Sequence, residues 1–331
     1  MGAKIAPVTL TAGAPRSNQP SGLAAGILAY SLWSVFPLYF TWLSLAGAVE
    51  VVAHRIVWTL VFCVVGITVT RTWGRLRAAW ADKALVGRLA AAGALVSVNW
   101  LVYVWAVLND HVIDAALGYF INPLVTVALG LAVLRERLAR LQAVALVVGL
   151  VAVCVIGVGY GRVPWVGLAL AVSFGLYALM KNRVGQRTTP LVGLAFEALT
   201  LSLPSAAYIV WLQTAGRGLF LTGGPKYTVG LALAGAVTAI PLLFFAYGAA
   251  RLPLATVGLL QYLTPVGQFL LGIWVFHEAM PPARWAGFAL IWVALVLLTA
   301  HAIRSWRLSA ASRARPEGPE AASPGAPTAR G

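Results

Sequence analysis

The chain has 331 residues, of which 60% are hydrophobic and only 10% charged, with a mean hydropathy of +0.86. A soluble domain is about a quarter charged, so this composition excludes a water-borne globular protein and indicates an integral membrane protein. The net charge of +15 does not indicate nucleic acid, because the basic residues are scattered between apolar runs and form no stripe interleaved with aromatics.

Residues 1–21, rich in Pro, Ser, Thr and Gly and carrying Lys4 and Arg16, read as an N-terminal tail. The apolar run beginning at Gly22 is long enough to stay in place as a span, so no cleavable signal peptide is expected. Ten apolar segments follow, at about 22–44, 49–70, 86–108, 112–134, 139–159, 164–181, 191–213, 228–250, 254–276 and 283–304. Crossing lipid as a helix takes about 20 residues. The runs lack period-two alternation, and only a helix satisfies every backbone group of one segment internally. The fold class is therefore an all-α membrane protein with ten transmembrane helices. Pro37, Pro123, Pro204, Pro241 and Pro265 fall inside segments and predict kinks or local unwinding. Cys63 and Cys154 also lie in apolar runs and read as small buried hydrophobes, not as a disulfide or metal pair. Residues 306–331, rich in Arg, Pro, Ser and Ala, read as a disordered cytoplasmic tail.

The second half of the chain overlays the first without a gap. A shift of 142 positions sets Leu117 on Leu259, Pro123 on Pro265, Gly130 on Gly272 and Glu136 on Glu278. The copies are placed at 22–160 and 163–305, with five segments each. Five is odd, so the second copy is expected to enter the membrane upside down relative to the first. Such inverted repeats are a hallmark of transporters with a site between the copies; duplication kept for packing alone is the alternative.

Lys and Arg set the orientation. With an internal N-terminus, the inner side holds Lys4, Arg16, Arg71, Arg75, Arg77, Lys83, Arg88, Arg135, Arg137, Arg140, Lys181, Arg183, Arg187, Arg251 and the tail from Arg304. The outer loops hold Arg162, Arg217, Lys226 and Arg284. Both termini are expected in the cytoplasm.

Ionisable groups inside apolar runs cost roughly 2.5–3.5 kcal/mol each at a helix centre on insertion scales, so they carry information. Glu50, His54 and Arg55 cluster in the second segment, with Glu50 and His54 four apart on one face. They are candidates to line the outer mouth of a cavity, to bind an anionic or zwitterionic group, or to relay a proton. Pairing of Glu50 and Arg55 with neighbouring spans is the structural alternative. Asp114 opens the fourth segment and Glu197 lies about two turns into the seventh. Both are candidates for ion coupling or gating; for Glu197 the alternative is a pair with a basic residue on another helix. Asn99 and Tyr103 fall mid-span in the third segment, beside Trp100 and Trp105. Tyr119 and Asn122 beside Pro123, and Gln261 and Tyr262 near Pro265, fall at matched points of the two copies. Polar side chains beside a mid-membrane proline suggest a cavity wall, so these six are candidate substrate-binding residues, with helix-to-helix hydrogen bonds as the alternative. Glu136 and Glu278 end equivalent segments and read as caps of the helix that follows each. Gly22/Gly26 and Gly157/Gly161 permit close helix approach. No HExxH, G-x-S-x-G or GxxxxGK[ST] pattern is present; no catalytic residue, cofactor or metal site is expected.

EVVAHR at 50–55, Asn99-Trp100, Trp105-Ala106-Val107, LGYFINPL at 117–124, IPLL at 240–243, Gln261-Tyr262 with Pro265, and IWVAL at 291–295 together resemble the RarD-type branch of EamA-domain transporters, in the drug/metabolite transporter superfamily. The resemblance covers about residues 22–305. It implies a ten-helix inner-membrane carrier of two EamA repeats, working in the direction of efflux.

The expected function is thus secondary transport of a small organic solute (a drug, amino acid or metabolite) by alternating access, with lipid bilayer and solute as partners and a coupling ion such as a proton. The site is expected between the copies, lined by the third, fourth, eighth and ninth segments. Two other classes stay open: a membrane enzyme acting on lipid or lipid-linked substrates, with Glu50, His54 and Asp114 as its acid/base groups, and a non-transporting scaffold.

Overall fold

The computed structural model describes residues 19–134, 139–161, 163–184, 187–249 and 260–313. Regular structure among them is helical: α1 (Gln19–Ser34), α2 (Phe36–Trp42), α3 (Ala48–Val69), α4 (Trp73–Ala81), α5 (Lys83–Leu108), α6 (Val112–Leu134), α7 (Arg140–Tyr160), α8 (Trp165–Val184), α9 (Pro190–Thr214), α10 (Pro225–Ala249), α11 (Leu263–Trp274) and α12 (Pro282–Arg313). Among the described residues seven stretches are long and apolar enough to cross a membrane: Pro20–Trp42, Ala48–Val69, Lys83–Leu108, Arg140–Gly159, Pro190–Thr214, Pro225–Phe245 and Pro282–His301. Val112–Thr126, Trp165–Lys181 and Leu263–Trp274 are shorter apolar helices. The chain is built as a multi-pass membrane protein. Nine of the expected segments overlap these helices, and the described part of the ninth overlaps α11; α4 is an additional short helix joining α3 to α5. The start of the ninth segment, Glu136, Arg135, Arg137, Arg162 and Arg251 lie outside the described residues.

Three local expectations change. Cys154 is exposed on α7, while Cys63 is buried. Residues 305–313, free of proline and containing Leu, Ala and Arg, extend α12 to Arg313 rather than opening a tail at 306. Of the interior prolines, Pro37 and Pro265 sit beside breaks, at Val35 and at Gln261–Tyr262, whereas Pro123, Pro204 and Pro241 are carried inside continuous helices.

The Pro37 break has a direct consequence. Proline has no N–H to give the carbonyl four residues back, that of Trp33. Gln268 Nε2 of α11 donates to that carbonyl at 3.2 Å, and Thr264 Oγ1 donates to the Tyr30 carbonyl at 3.0 Å. The kink of the first span is thus where α11 is tied on. Elsewhere the ends are satisfied locally: Asp82 Oδ1 accepts from the Leu85 N–H at 3.0 Å to start α5, and Gly161 turns left-handed (φ 61°) after α7.

Several helix starts and packing partners follow the 142-residue spacing. α3 and α9 begin at Ala48 and Pro190, α5 and α10 at Lys83 and Pro225, and α7 and α12 at Arg140 and Pro282, each pair 142 positions apart. Packing partners exchange under the same shift, with the first span equivalent to α8 and α6 to α11. α5 packs on α8 as α1 packs on α10, α6 on α8 as α1 on α11, and α3 on α10 as α5 on α9; the equivalent helices α3 and α9, α6 and α11, and α7 and α12 pack on each other. Gly93 of α5 and Gly235 of α10 mark this register. A Cβ on Gly93 would come within 2.6 Å of the Glu197 carbonyl of α9, and one on Gly235 within 2.2 Å of the Trp58 carbonyl of α3. Only glycine permits such backbone approach.

The two largest apolar clusters among the described residues lie in the interior. One gathers Phe36, Phe40, Val52, Ile56, Tyr103, Val107, Leu170 and Leu231. The other joins Leu117 and Phe120 of α6 to Ile156, Phe269, Phe288 and Ile291.

Candidate functional site

The first turns of α3 bury Glu50, His54 and Arg55. At this end of the bundle the connection between α9 and α10 folds over α3. The Leu219 N–H donates to Glu50 Oε1 at 2.7 Å, and the Phe220 ring lies 4.7 Å from that of His54. At the other end, Trp80 of α4 lies 5.6 Å from Phe196 of α9. Phe196 lies 142 positions after His54, and α3 and α9 are each covered by an aromatic ring from the connection that follows the other.

Arg55 sits one residue round the helix from His54. Its guanidinium lies 4.1 Å from the centre of a Trp100 ring and 5.7 Å from those of Phe36 and Phe40. Its Nε donates to Thr238 Oγ1 of α10 at 2.8 Å. Trp100 and Tyr103, three apart on α5, share one face. The Tyr103 ring lies 6.0 Å from Phe40 and 5.7 Å from Tyr119 of α6, and Tyr119 lies 6.3 Å from Phe174 of α8. Tyr39 of α2 donates to the Gly230 carbonyl of α10 at 2.7 Å. Among the described residues Arg55 Nη1, the Tyr103 hydroxyl, both His54 nitrogens and Asn122 Oδ1 are buried without a protein hydrogen-bond partner. Asn122, three residues beyond Tyr119, faces Gly175 of α8. Arg55, Tyr103, Tyr119 and Asn122 therefore line the α2–α3–α5–α6 side, with α8 and α10 of the second copy opposite.

The remaining candidates are placed elsewhere. Asn99 Nδ2 donates to the Leu170 carbonyl and to Ser173 Oγ, both at 3.0 Å, and so pins α5 to α8. Glu197 has the basic partner on another helix: Lys181 of α8 at 2.5 Å, with the Tyr177 hydroxyl donating at 3.1 Å. Asp114 accepts from Arg284 Nη2 of α12 at 3.0 Å and lies 3.1 Å from His111 Nδ1. Gln261 and Tyr262 occupy the turn before α11; Tyr262 packs on the Phe120 cluster and hydrogen-bonds Thr299, apart from Tyr103 and Tyr119. Glu278 is a cap, but of a different helix from the one expected. Its carboxylate accepts from the N–H groups of Val112 and Ile113, at the start of α6, 166 and 165 residues away in sequence. The connection that carries Glu278 folds back over α6, which presents the nearer free N–H groups. Burial pushes the Glu278 carboxyl up to about 8; the Ile113 and Val112 N–H groups oppose this, and the Asp114 and Asp110 carboxylates add to it.

Sequence reasoning missed Phe36, Phe40 and Thr238 as walls of the Arg55 cluster. Nothing local marks Thr238, which lies 183 residues from Arg55. One signal was available: the 142-residue shift that pairs Pro123 with Pro265 also pairs Arg55 with Glu197, singling both out as the eighth residues of equivalent helices. An apolar groove lined by Leu150, Val151, Cys154, Val158 and Ala283 holds none of these polar groups.

No family model matches the chain. Protein RarD of Streptomyces exfoliatus is 48% identical over 295 residues, 89% of this chain and 93% of that protein. The uncharacterized transporter YojE of Bacillus subtilis (strain 168) is 38% identical over 87% of this chain and 96% of its own. Protein RarD of Escherichia coli (strain K12) is 33% identical over 86% of this chain and 96% of its own. Among the solved structures that match, a crystal structure with a TM-score of 0.56 at 21% identity covers 86% of this chain and 99% of its own, and bears on the fold alone. Near-complete coverage in both directions at these identities leaves one assignment: the chain belongs to the RarD family.

Proposed function

We propose that the chain is a secondary carrier that moves a small organic solute across the cell's inner (plasma) membrane by alternating access. One observation carries the reading. A polar and aromatic cluster of the buried Arg55 and Tyr103 with the partly buried Trp100 and Tyr119 is closed by Thr238 from the other half of the chain. A site made by two copies changes its access when the copies move against each other.

The exchange of packing partners under the 142-residue shift supports two equivalent bundles. Five spans in each turn the second over. The excess of Lys and Arg at the end holding α4 and the α8–α9 connection fits the cytoplasmic side and cytoplasmic termini. In this arrangement Phe220 over His54 covers the outer mouth and Trp80 over Phe196 the inner one. The short α2, joined to α1 through Val35, carries Phe36 and Phe40 against the site, so it moves the wall when the first span bends. Asn99 holds α5 in place, while Gln261 and Tyr262 form the joint at which α11 tilts. Glu197 and Asp114 are the coupling or gating groups nearest the two mouths. The named relatives that are called transporters fit this reading, with efflux of a drug, amino acid or metabolite driven by a proton or solute gradient.

The test is labelled-solute movement in proteoliposomes containing the purified chain. Candidate solutes are first selected by thermal stabilisation. A selected solute is expected to cross, and Tyr119→Ala and Tyr103→Ala are expected to slow it at least tenfold. Unaltered transport in both variants, or no movement of any stabilising solute, contradicts the reading.

A further inference from the structure

Arg55 is 5% exposed, its Nη1 has no protein partner, and among the described residues no carboxylate stands within ion-pair distance of it. The titratable side chains near enough to act on it are phenols, those of Tyr119, Tyr103 and Tyr39. The other buried arginine among the described residues, Arg284, is answered by Asp114. A cation shut away from water without a counter-charge carries a heavy desolvation penalty, which ring faces and one hydroxyl offset only in part. Guanidinium is also a planar fork of donors matched to a carboxylate. Around it stand Phe36, Phe40, Trp100, Tyr103 and Tyr119, and the Tyr103 hydroxyl, 3% exposed, is a second unpartnered donor.

We infer that Arg55 is the anion-recognition residue of the solute site, and that the solute is a small organic carboxylate with a flat apolar body. The carboxylate takes the free Nη1 edge of Arg55 and the Tyr103 hydroxyl, while Nε stays on Thr238 and the body lies among the rings. The inference deepens the carrier reading, on which it rests, by naming its substrate class. Recognition is by charge: an amide of the same shape brings its own N–H groups to a wall already rich in donors and leaves the guanidinium charge unanswered.

The test is thermal unfolding of the full chain in detergent with benzoate, phenylacetate and indole-3-acetate, each against its primary amide at equal concentration. At least one carboxylate is expected to raise the melting temperature where its amide does not. Arg55→Met should abolish that shift, and without solute should melt no lower than the parent, because an unpaired buried charge has been removed. Tyr103→Phe, which deletes only a hydroxyl, should weaken the apparent affinity about tenfold; it serves as the second variant should Arg55→Met fail to fold. Amides that stabilise as well as their acids, no stabilisation by any of the three acids, or an undiminished shift in Arg55→Met each overturn the inference. A carboxylate that binds through Arg55 but never crosses proteoliposomes sinks the carrier reading and leaves this site standing. An amide that crosses as fast as its acid does the reverse.

Discussion

Arg55 and Glu197 occupy the eighth positions of α3 and α9, equivalent helices 142 residues apart, and their charges are met in opposite ways. Lys181 lies 2.5 Å from Glu197 and Tyr177 adds a hydrogen bond, whereas Arg55 faces rings and a threonine hydroxyl. Glu197 has a closed ion pair where Arg55 is an unanswered cation. The binding role proposed for Arg55 rests on that contrast.

The ion pair predicts a strongly unequal response to single and double changes. Lys181→Met leaves the Glu197 carboxylate buried and unpaired, and should destabilise the protein by about 2–4 kcal/mol, allowing for the partial exposure of Lys181. The double variant Lys181→Met with Glu197→Gln should recover at least half of that loss. Thermal unfolding in detergent measures both, and equal losses in single and double variants would show that the pair is not coupled.

Helix contact at Gly235 predicts a second contrast. A Cβ there would lie 2.2 Å from the Trp58 carbonyl, while one on Gly87 of α5 meets nothing within 4 Å. Gly235→Ala should cost about 1–3 kcal/mol through forced separation of α3 and α10. Gly87→Ala should be neutral or stabilising by up to about 1 kcal/mol from helix propensity. Similar melting temperatures for the two variants would refute the close approach.

Glu278 predicts a pH dependence. Its carboxyl, in the connection before α12, is raised to about 8 by burial, with Asp114 and Asp110 contributing against the pull of the Ile113 and Val112 N–H groups. A carboxyl with a folded-state value above its unfolded value binds its proton more tightly when folded. Its contribution is therefore complete below about 4.5 and is lost as pH rises through about 8. His111 and Arg284, which contact Asp114, share the surroundings. The melting temperature should fall between pH 7 and 9, and Glu278→Gln, which keeps an acceptor for α6 without the charge, should flatten that fall. An unchanged slope in the variant assigns the pH dependence elsewhere.

The elements were legible because membrane spans are long apolar runs whose period matters less than their length. The 142-residue spacing was legible because Pro, Gly and Glu residues recur at it. What the chain did not disclose is which faces meet. Thr238 has no local feature that marks it as the partner of Arg55, and Glu278 caps a helix begun 166 residues earlier. The Pro37 kink was foreseeable, but not that the Trp33 carbonyl would be taken by Gln268. Asn99, read as a wall residue, is committed to α8 by geometry that a single helix cannot reveal. Cys154 looked buried because an apolar neighbourhood reads alike whether it faces protein or lipid.

Opposed copies sharing one site require that equivalent positions face opposite compartments. Arg75 and Arg217, 142 positions apart, are both exposed in the connections that follow α3 and α9. With Cys63 and Cys154 replaced by alanine, a membrane-impermeant maleimide applied to intact cells should label the Arg217→Cys chain and not the Arg75→Cys chain; inverted vesicles should reverse the pattern. Labelling of both from the same side would place the two bundles in parallel and contradict the account.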